Sequence, residues 1–352
     1  MSERVVTVRE LNRATLARQL LLERHALTVP RAIERVCALQ AQWPTAPYVA
    51  LWSRVRDFRR DALTRALERR TVIRSTLMRT TIHMLSRADY LALATLWQIR
   101  RRSQHERDGG DVEVDETAAR LALAGGERTY ADLNRELGEA FSRRFGPLVP
   151  LAHVPPAGTW RHHGRTQLVE AECWLGATFG DARAAATLLV ERYLRGYGPA
   201  SLGDLRRFSG LPTQDLASGL ETLEPRLRRC RDEEGRLLLD LARLPRPGRD
   251  TTAPPRFLGR WDNALIGYDR RARILPDEFS GRNIGHAGDQ VVLVDGFVAA
   301  IWTVERAATA ATLRLEPLAP LPRTARREVE AEAETLLAWH EPQSDRKRVR
   351  WS

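Results

Sequence analysis

The chain has 352 residues, 43% hydrophobic and 29% charged, the composition of soluble globular structure with room for two to four small cores. No apolar run approaches a membrane span, Met1-Ser2-Glu3-Arg4 does not open a signal peptide, and Cys37, Cys173 and Cys230 are too few and too scattered for a disulfide framework, so a reducing cytoplasm is the expected compartment. The net charge of +11 points to a polyanionic partner, while Lys347, the one lysine, sits in a basic tail, which excludes a P-loop and argues against a Schiff-base lysine.

From the N-terminus, helices are expected near 8–24, 30–40, 46–55 and 60–70, followed by a strand-rich run from Val72 to Leu85. Among them lies Leu39-Gln40-Ala41-Gln42-Trp43-Pro44. Pro44 biases Trp43 away from the helical region, so this stretch reads as an extended turn in which residues i and i+2 point the same way. Gln40 and Gln42 then offer two uncharged amides side by side, able to hold one water or a sugar-phosphate between them. Trp43 and Tyr48 read either as core or as stacking or wedge residues against bases. His83, inside an alternating run, reads as a structural histidine.

Helices closed by a hairpin then recur twice. Thr129-Tyr130-Ala131-Asp132 is a capping box opening a helix through about Arg144, and Val149 to Gln167 is its irregular wing. His162-His163, with His153 and Cys173 nearby, match no zinc spacing and read as facing phosphate or solvent, so no metal and no cofactor are expected. Ala182 to Arg195 is the next helix, stopped by Gly196 and Gly198-Pro199. A second capping box, Ser201-Leu202-Gly203-Asp204, opens a short helix; Gly210-Leu211-Pro212 turns the chain, and a helix runs from Thr213 to Leu220. Strands Arg226–Cys230 and Arg236–Leu241 complete the order of a winged helix-turn-helix.

Gly109-Gly110 and Pro245-Arg246-Pro247-Gly248 are the expected linkers. After Pro254-Pro255 come short strands, a hairpin turn at Val294-Asp295-Gly296-Phe297, a helix from Thr324 to Trp339 and a basic tail that reads as a solvated end or a last strand. The expected fold class is α+β, mainly helical: three tandem winged helix-turn-helix units at 1–110, 111–175 and 180–245, then a small β-rich, barrel-like domain at 253–352. Three such units in series on a basic chain point to a monomer that wraps double-stranded DNA, associated with the nucleoid and not with membrane.

Leu39-Gln40-Ala41-Gln42, Tyr48 to Arg54, Met78-Arg79-Thr80-Thr81-Ile82-His83, Pro155-Pro156-Ala157-Gly158-Thr159-Trp160 and Tyr197-Gly198-Pro199 resemble the markers of the winged-helix DNA glycosylases of the AlkZ type. Trp261-Asp262-Asn263 resembles a further marker and reads as structural. The resemblance runs in matching order over most of the chain. It implies three winged helices and a β-barrel arranged as a C around duplex, and excision of bases alkylated at N7 of guanine, with some members unhooking interstrand crosslinks. It also implies a catalytic Gln-x-Gln loop, here Gln40 and Gln42, with Trp43, Tyr48, Arg54, Arg79, Thr81 and His83 as supporting or DNA-binding residues. Thr80 stands where the pattern has glycine, and many relatives carry an acidic residue at the position of Trp43. Two other readings of the residues stand beside this one. A non-catalytic winged-helix regulator or architectural factor would have no use for the glutamine loop, and an RNA-binding or RNA-processing factor would prefer single strands.

Overall fold

The computed structural model describes residues 4–138, 148–244 and 246–352, so the expected extension of the Thr129 helix to Arg144 and the Pro245 end of the second linker lie outside the described residues. It is a mixed α+β structure with three separate sheets among those residues. A five-stranded sheet runs Leu39–Gln40, Ile82–Ser86, Val72–Thr76, Leu151–Val154, Gln167–Glu170 in spatial order, antiparallel throughout, and so takes strands from both sides of residue 110. The segment read as an irregular wing thus begins and ends on paired strand. A three-stranded sheet places Val5–Val6 parallel to Leu227–Asp232, which pairs with Leu237–Leu241. The third sheet is open, ordered Arg346–Trp351, Ala310–Pro317, Phe297–Arg306, Val291–Val294, Arg256–Leu258. The basic tail is therefore its edge strand, parallel to Ala310–Pro317, and among the described residues no sheet closes on itself.

Local signals start the helices where the sequence places them. Thr7 with Glu10, Thr129 with Asp132 and Ser201 with Asp204 each form a reciprocal capping box. Helix ends are decided by tertiary contacts. Helix Val8–Arg18 stops short of residue 24 because Leu20 turns left-handed (φ 58°) and the carbonyls of Leu21 and Leu22 accept from Arg256 of the open sheet. Helix Val29–Arg35 stops short of 40 because Cys37 and Ala38 are both left-handed (φ 57° and 92°), which swings Leu39–Gln40 into the five-stranded sheet. Helices Ala46–Trp52 and Arg60–Glu68 end within a few residues of expectation.

Helix Ala182–Tyr197 is the spine of the molecule, burying Ala185, Ala186, Leu189, Val190, Tyr193 and Tyr197 against helices Arg87–Arg107 and Thr213–Leu223. Gly219 allows the last of these to approach: a Cβ there would stand 2.5 Å from the Ala186 carbonyl oxygen. A second core joins Ile33, Val49 and Leu63 of the N-terminal helices to Phe257 and Trp302 of the open sheet and Leu336 of helix Arg323–His340. The glutamine loop leaves its sheet beside both cores, and is held from several directions at once.

Candidate active site

Gln40 is the last residue of its short strand and lies opposite His83 in the register of the neighbouring strand. The Ala41 amide donates to the Ile82 carbonyl at 2.7 Å, after which the chain leaves the sheet and Gln42 emerges into solvent. Extended backbone puts the side chains of Gln40 and Gln42 on the same side. They meet: Gln40 Nε2 donates to Gln42 Oε1 at 2.6 Å. Gln40 is buried and its Oε1 accepts from Arg79 Nη2 at 3.1 Å, so its amide is fixed at both ends. The second guanidinium nitrogen of Arg79 donates to the Phe208 carbonyl. A cation on Gln40 Oε1 draws electron density from the amide and strengthens the bond its NH₂ donates to Gln42. The outcome is an ordered Gln42 carbonyl at the surface.

Behind the loop lies Arg74, a residue with no distinguishing mark in the sequence. Its Nε and Nη2 donate to the Ala41 carbonyl between the two glutamines, at 3.3 and 3.2 Å, and its Nη1 donates to His153 Nδ1 at 2.7 Å. Burial pushes the guanidinium down to about 10, leaving it a cation at neutral pH. His153 is held well below the usual histidine range by burial and by the Arg74 charge, and accepts as a neutral ring. Gly158, left-handed at φ 82°, leaves room for Arg74: a Cβ there would lie 2.4 Å from the arginine Cδ. This is the contact that the Pro-Pro-Ala-Gly-Thr-Trp stretch makes with the loop.

The turn that carries Arg79 is strained. Arg79 and Thr80 are both left-handed (φ 53° and 57°), and Thr80 is β-branched, for which this region is an outlier. A glycine would sit there freely, which explains the residue expected at position 80. Thr81 Oγ1 closes the turn by donating to the Met78 carbonyl at 3.0 Å. His83 is fully buried, and its Nδ1–H donates to the Thr81 carbonyl at 3.0 Å, leaving Nε2 as a bare acceptor with no partner among the described residues. Burial, then the Arg79 charge, lowers its pKa to about 3, so it is neutral at working pH.

This geometry can be set against known proteins. The family model described as DNA glycosylase AlkZ-like matches residues 33–339. The chain belongs to the AlkZ-like DNA glycosylase family. The solved structure of the Streptomyces sahachiroi DNA glycosylase AlkZ is similar over 99% of this chain and 100% of that one, with a TM-score of 0.77 at 22% identity. No curated protein matches in sequence.

In this AlkZ-like chain the remaining residues singled out from sequence divide by burial. Tyr48 is fully buried, its hydroxyl 2.8 Å from Thr64 Oγ1 and its ring edge-on to Trp160, so it packs under the loop and presents nothing to a ligand. Arg54 is also buried, in a two-pronged pair with Asp262 at 2.7 and 2.8 Å, and Asp262 in turn caps helix Asn263–Ile266. Both side chains are buried and bonded within the fold. Trp43 is the exception, 39% exposed, with the His163 ring at 5.0 Å and the Arg260 guanidinium 5.0 Å over its face. Core packing is thus not its role. Arg260 and His163 come from distant parts of the sequence and carry no local signal that could have placed them there. Among the described residues no three His, Cys, Asp or Glu gather as metal ligands, and no helix is long and apolar enough to cross a membrane.

Proposed function

We propose that this protein excises purines made cationic by N7-alkylation from duplex DNA, with Gln40 and Gln42 positioning the attacking water. The reading rests on one observation: the direct Gln40–Gln42 hydrogen bond, anchored by Arg79 and opening onto solvent at Gln42. The Gln42 carbonyl accepts one bond from Gln40 and keeps a second lone-pair site for a water. An amide is a poor base, so it orients that water rather than deprotonating it beforehand. An N7-alkylated purine is already a good leaving group, and the remaining demand is an oriented nucleophile and a stabilised, oxocarbenium-like sugar.

The same reading makes the enzyme a monofunctional hydrolase acting as a monomer, without cofactor, in the cytoplasm beside the nucleoid. Water is the nucleophile, since the only lysine, Lys347, lies on the edge strand Arg346–Trp351, far along the chain from the loop. The helix, helix, turn, helix, hairpin order of residues 182–241 supports reading the DNA-binding surface as winged-helix units. Interstrand crosslinks built through N7 of guanine share the cationic leaving group and are proposed as further substrates. The test is a duplex carrying one N7-methylguanine. Free base should be released over an intact abasic strand; an unchanged duplex would leave the non-catalytic DNA-binding reading in its place.

A further inference from the structure

Helix Thr213–Leu223 occupies the reading position of a helix-turn-helix, yet it carries Asp215 and Glu221 and neither lysine nor arginine. The cations stand on the preceding helix, Leu202–Ser209. Arg206 and Arg207 are exposed there and line, with Arg100, a groove of about 480 Å³ in which Asp269 is the acidic lining residue. The wall of the groove touches the turn that carries Arg79. Gly210, in its wall, is left-handed (φ 73°) and so close to the strained turn that a Cβ would lie 3.0 Å from the Arg79 amide nitrogen. Arg79 also donates to the Phe208 carbonyl of the same helix.

From the C-terminal side the chain meets this helix where the Asp269 amide donates to Asp204 Oδ1 at 2.9 Å, and Asp269 lines the groove with Arg207. Arg271 follows two residues later, its Nη1 donating to the Ile284 carbonyl at 2.6 Å, and His286 lies two residues beyond Ile284, its own carbonyl held by Trp261 Nε1. Burial lowers the pKa of Arg79, Arg271 and His286, and in each case the Arg207 charge lowers it further. The contacts of Arg79 with Phe208 and Gly210, and of Asp269 with Asp204, bring the segments that carry these groups to the same short helix. None of Arg79, Arg207 and Arg271 has a carboxylate partner among the described residues, although the chain has 45 acidic residues to offer. Like charges gathered without counter-ions cost stability and are expected where an anion arrives. They would also oppose the reaction, because a cation beside Gln40 repels a developing sugar cation.

We infer that Arg79, Arg207 and Arg271, with His286, form a seat for one backbone phosphodiester beside Gln40, and that the adjoining groove carries the strand past Arg206 and Arg100. The phosphodiester neutralises the cluster and places its negative charge next to the sugar. Arg79 joins the two events, since the residue that orients Gln40 is also a wall of the seat. The inference rests on the DNA-directed reading above, but its test does not depend on excision.

Binding to an intact, undamaged duplex is measured across a salt series for the parent, Arg207→Ala, Arg271→Ala and Arg207→Lys. Each lost phosphate contact should make the log–log slope shallower by about one unit, with Arg207→Lys retaining the parent slope. Arg207 makes no side-chain bond within the described residues, so its variants should fold, as a melting curve will show. Unchanged slopes in both alanine variants overturn the seat, whether or not base is released. Altered slopes with no release of N7-methylguanine by the parent keep the seat and remove the glycosylase reading. Inorganic phosphate is compared with chloride at equal ionic strength as a separate arm. If it binds the parent but not Arg207→Ala while the duplex slope stays put, the site takes a small anion and the DNA assignment is wrong.

Discussion

Gln40→Ala and Gln42→Ala should fail in the same reaction for the same reason and differ in what they do to the fold. Gln42 is exposed and receives one bond, from Gln40. On the proposed mechanism its removal takes away the carbonyl that holds the water, and it should leave stability within about 0.5 kcal/mol, the usual range for a surface position. Gln40 is buried, and its removal also strips Arg79 Nη2 of its acceptor in a turn where Arg79 is already strained. Leaving that charged donor unsatisfied should cost about 1–3 kcal/mol of folding free energy. In single-turnover excision of N7-methylguanine both variants should lose roughly 10²–10³-fold, the cost of about 3–4 kcal/mol for one preorganised polar group acting in the transition state. Duplex affinity should barely move for Gln42→Ala. Gln42→Asp restores an oxygen at that position with an added charge that favours a sugar cation, and should keep part of the rate. If both alanine variants excise as fast as the parent, the glutamines are not the catalytic pair and the loop only supports the fold.

Two further expectations concern the support of the site. Arg54→Ala leaves Asp262 buried without its cation and should destabilise the protein by about 3–5 kcal/mol in chemical denaturation, whereas a loss under about 1 kcal/mol would contradict the burial of that pair. His83, at about 3 in the folded state, and His153, shifted the same way, take up protons below pH 6.5 only when the chain unfolds. Stability is therefore full above about pH 7 and falls by about 1.4 kcal/mol per pH unit per histidine below about 6.5, with His286 and His340 adding in the same direction. Carboxylates with lowered values, Asp240 and Glu341, act only further into acid, and Asp89, raised by burial, works in the opposite direction, so a fall in urea melts from pH 7.5 to 5.5 comes from the histidines, and a flat profile there would refute neutral burial of both.

The sequence put Gln40 and Gln42 on one side of the chain because the period of extended chain is a local fact, but it led to a water or sugar-phosphate between the two amides, whereas they bond to each other directly at 2.6 Å. The capping boxes at Thr129 and Ser201 were legible for the same reason. What could not be read was set by partners distant in the chain. Helix Val8–Arg18 stops early because Arg256, more than two hundred residues away, takes its trailing carbonyls. Arg74 looked like one arginine among many in a strand pattern, and only the fold brings it between Ala41 and His153. Trp43 could be placed neither in nor out of the core until Arg260 and His163 were seen beside its ring. Arginine abundance hid these roles, since the long, permanently charged side chain serves core pairing, loop support and anion binding alike.

The proposed uncharged dyad would also limit which lesions can react. In N7-alkylpurine loss the positive charge is not created; it moves from the purine onto the sugar as the base departs neutral. Oriented dipoles suffice to guide that transfer. A neutral lesion such as hypoxanthine or uracil needs a proton delivered to its leaving base, a task that general acids perform for roughly 10²–10⁴ in rate. No such acid meets the glutamine pair among the described residues: its bonded neighbour is Arg79, and His83, opposite Gln40, holds its value near 3 and is deprotonated at neutral pH. The prediction is an excision rate at least about 10²-fold lower for hypoxanthine than for N7-methylguanine in the same duplex context. The N7-methylguanine rate itself should stay level between pH 6 and 8, because nothing in the reacting set titrates there. Comparable rates on the two lesions, or a bell-shaped profile for the cationic one, would reveal a proton donor that this geometry does not contain.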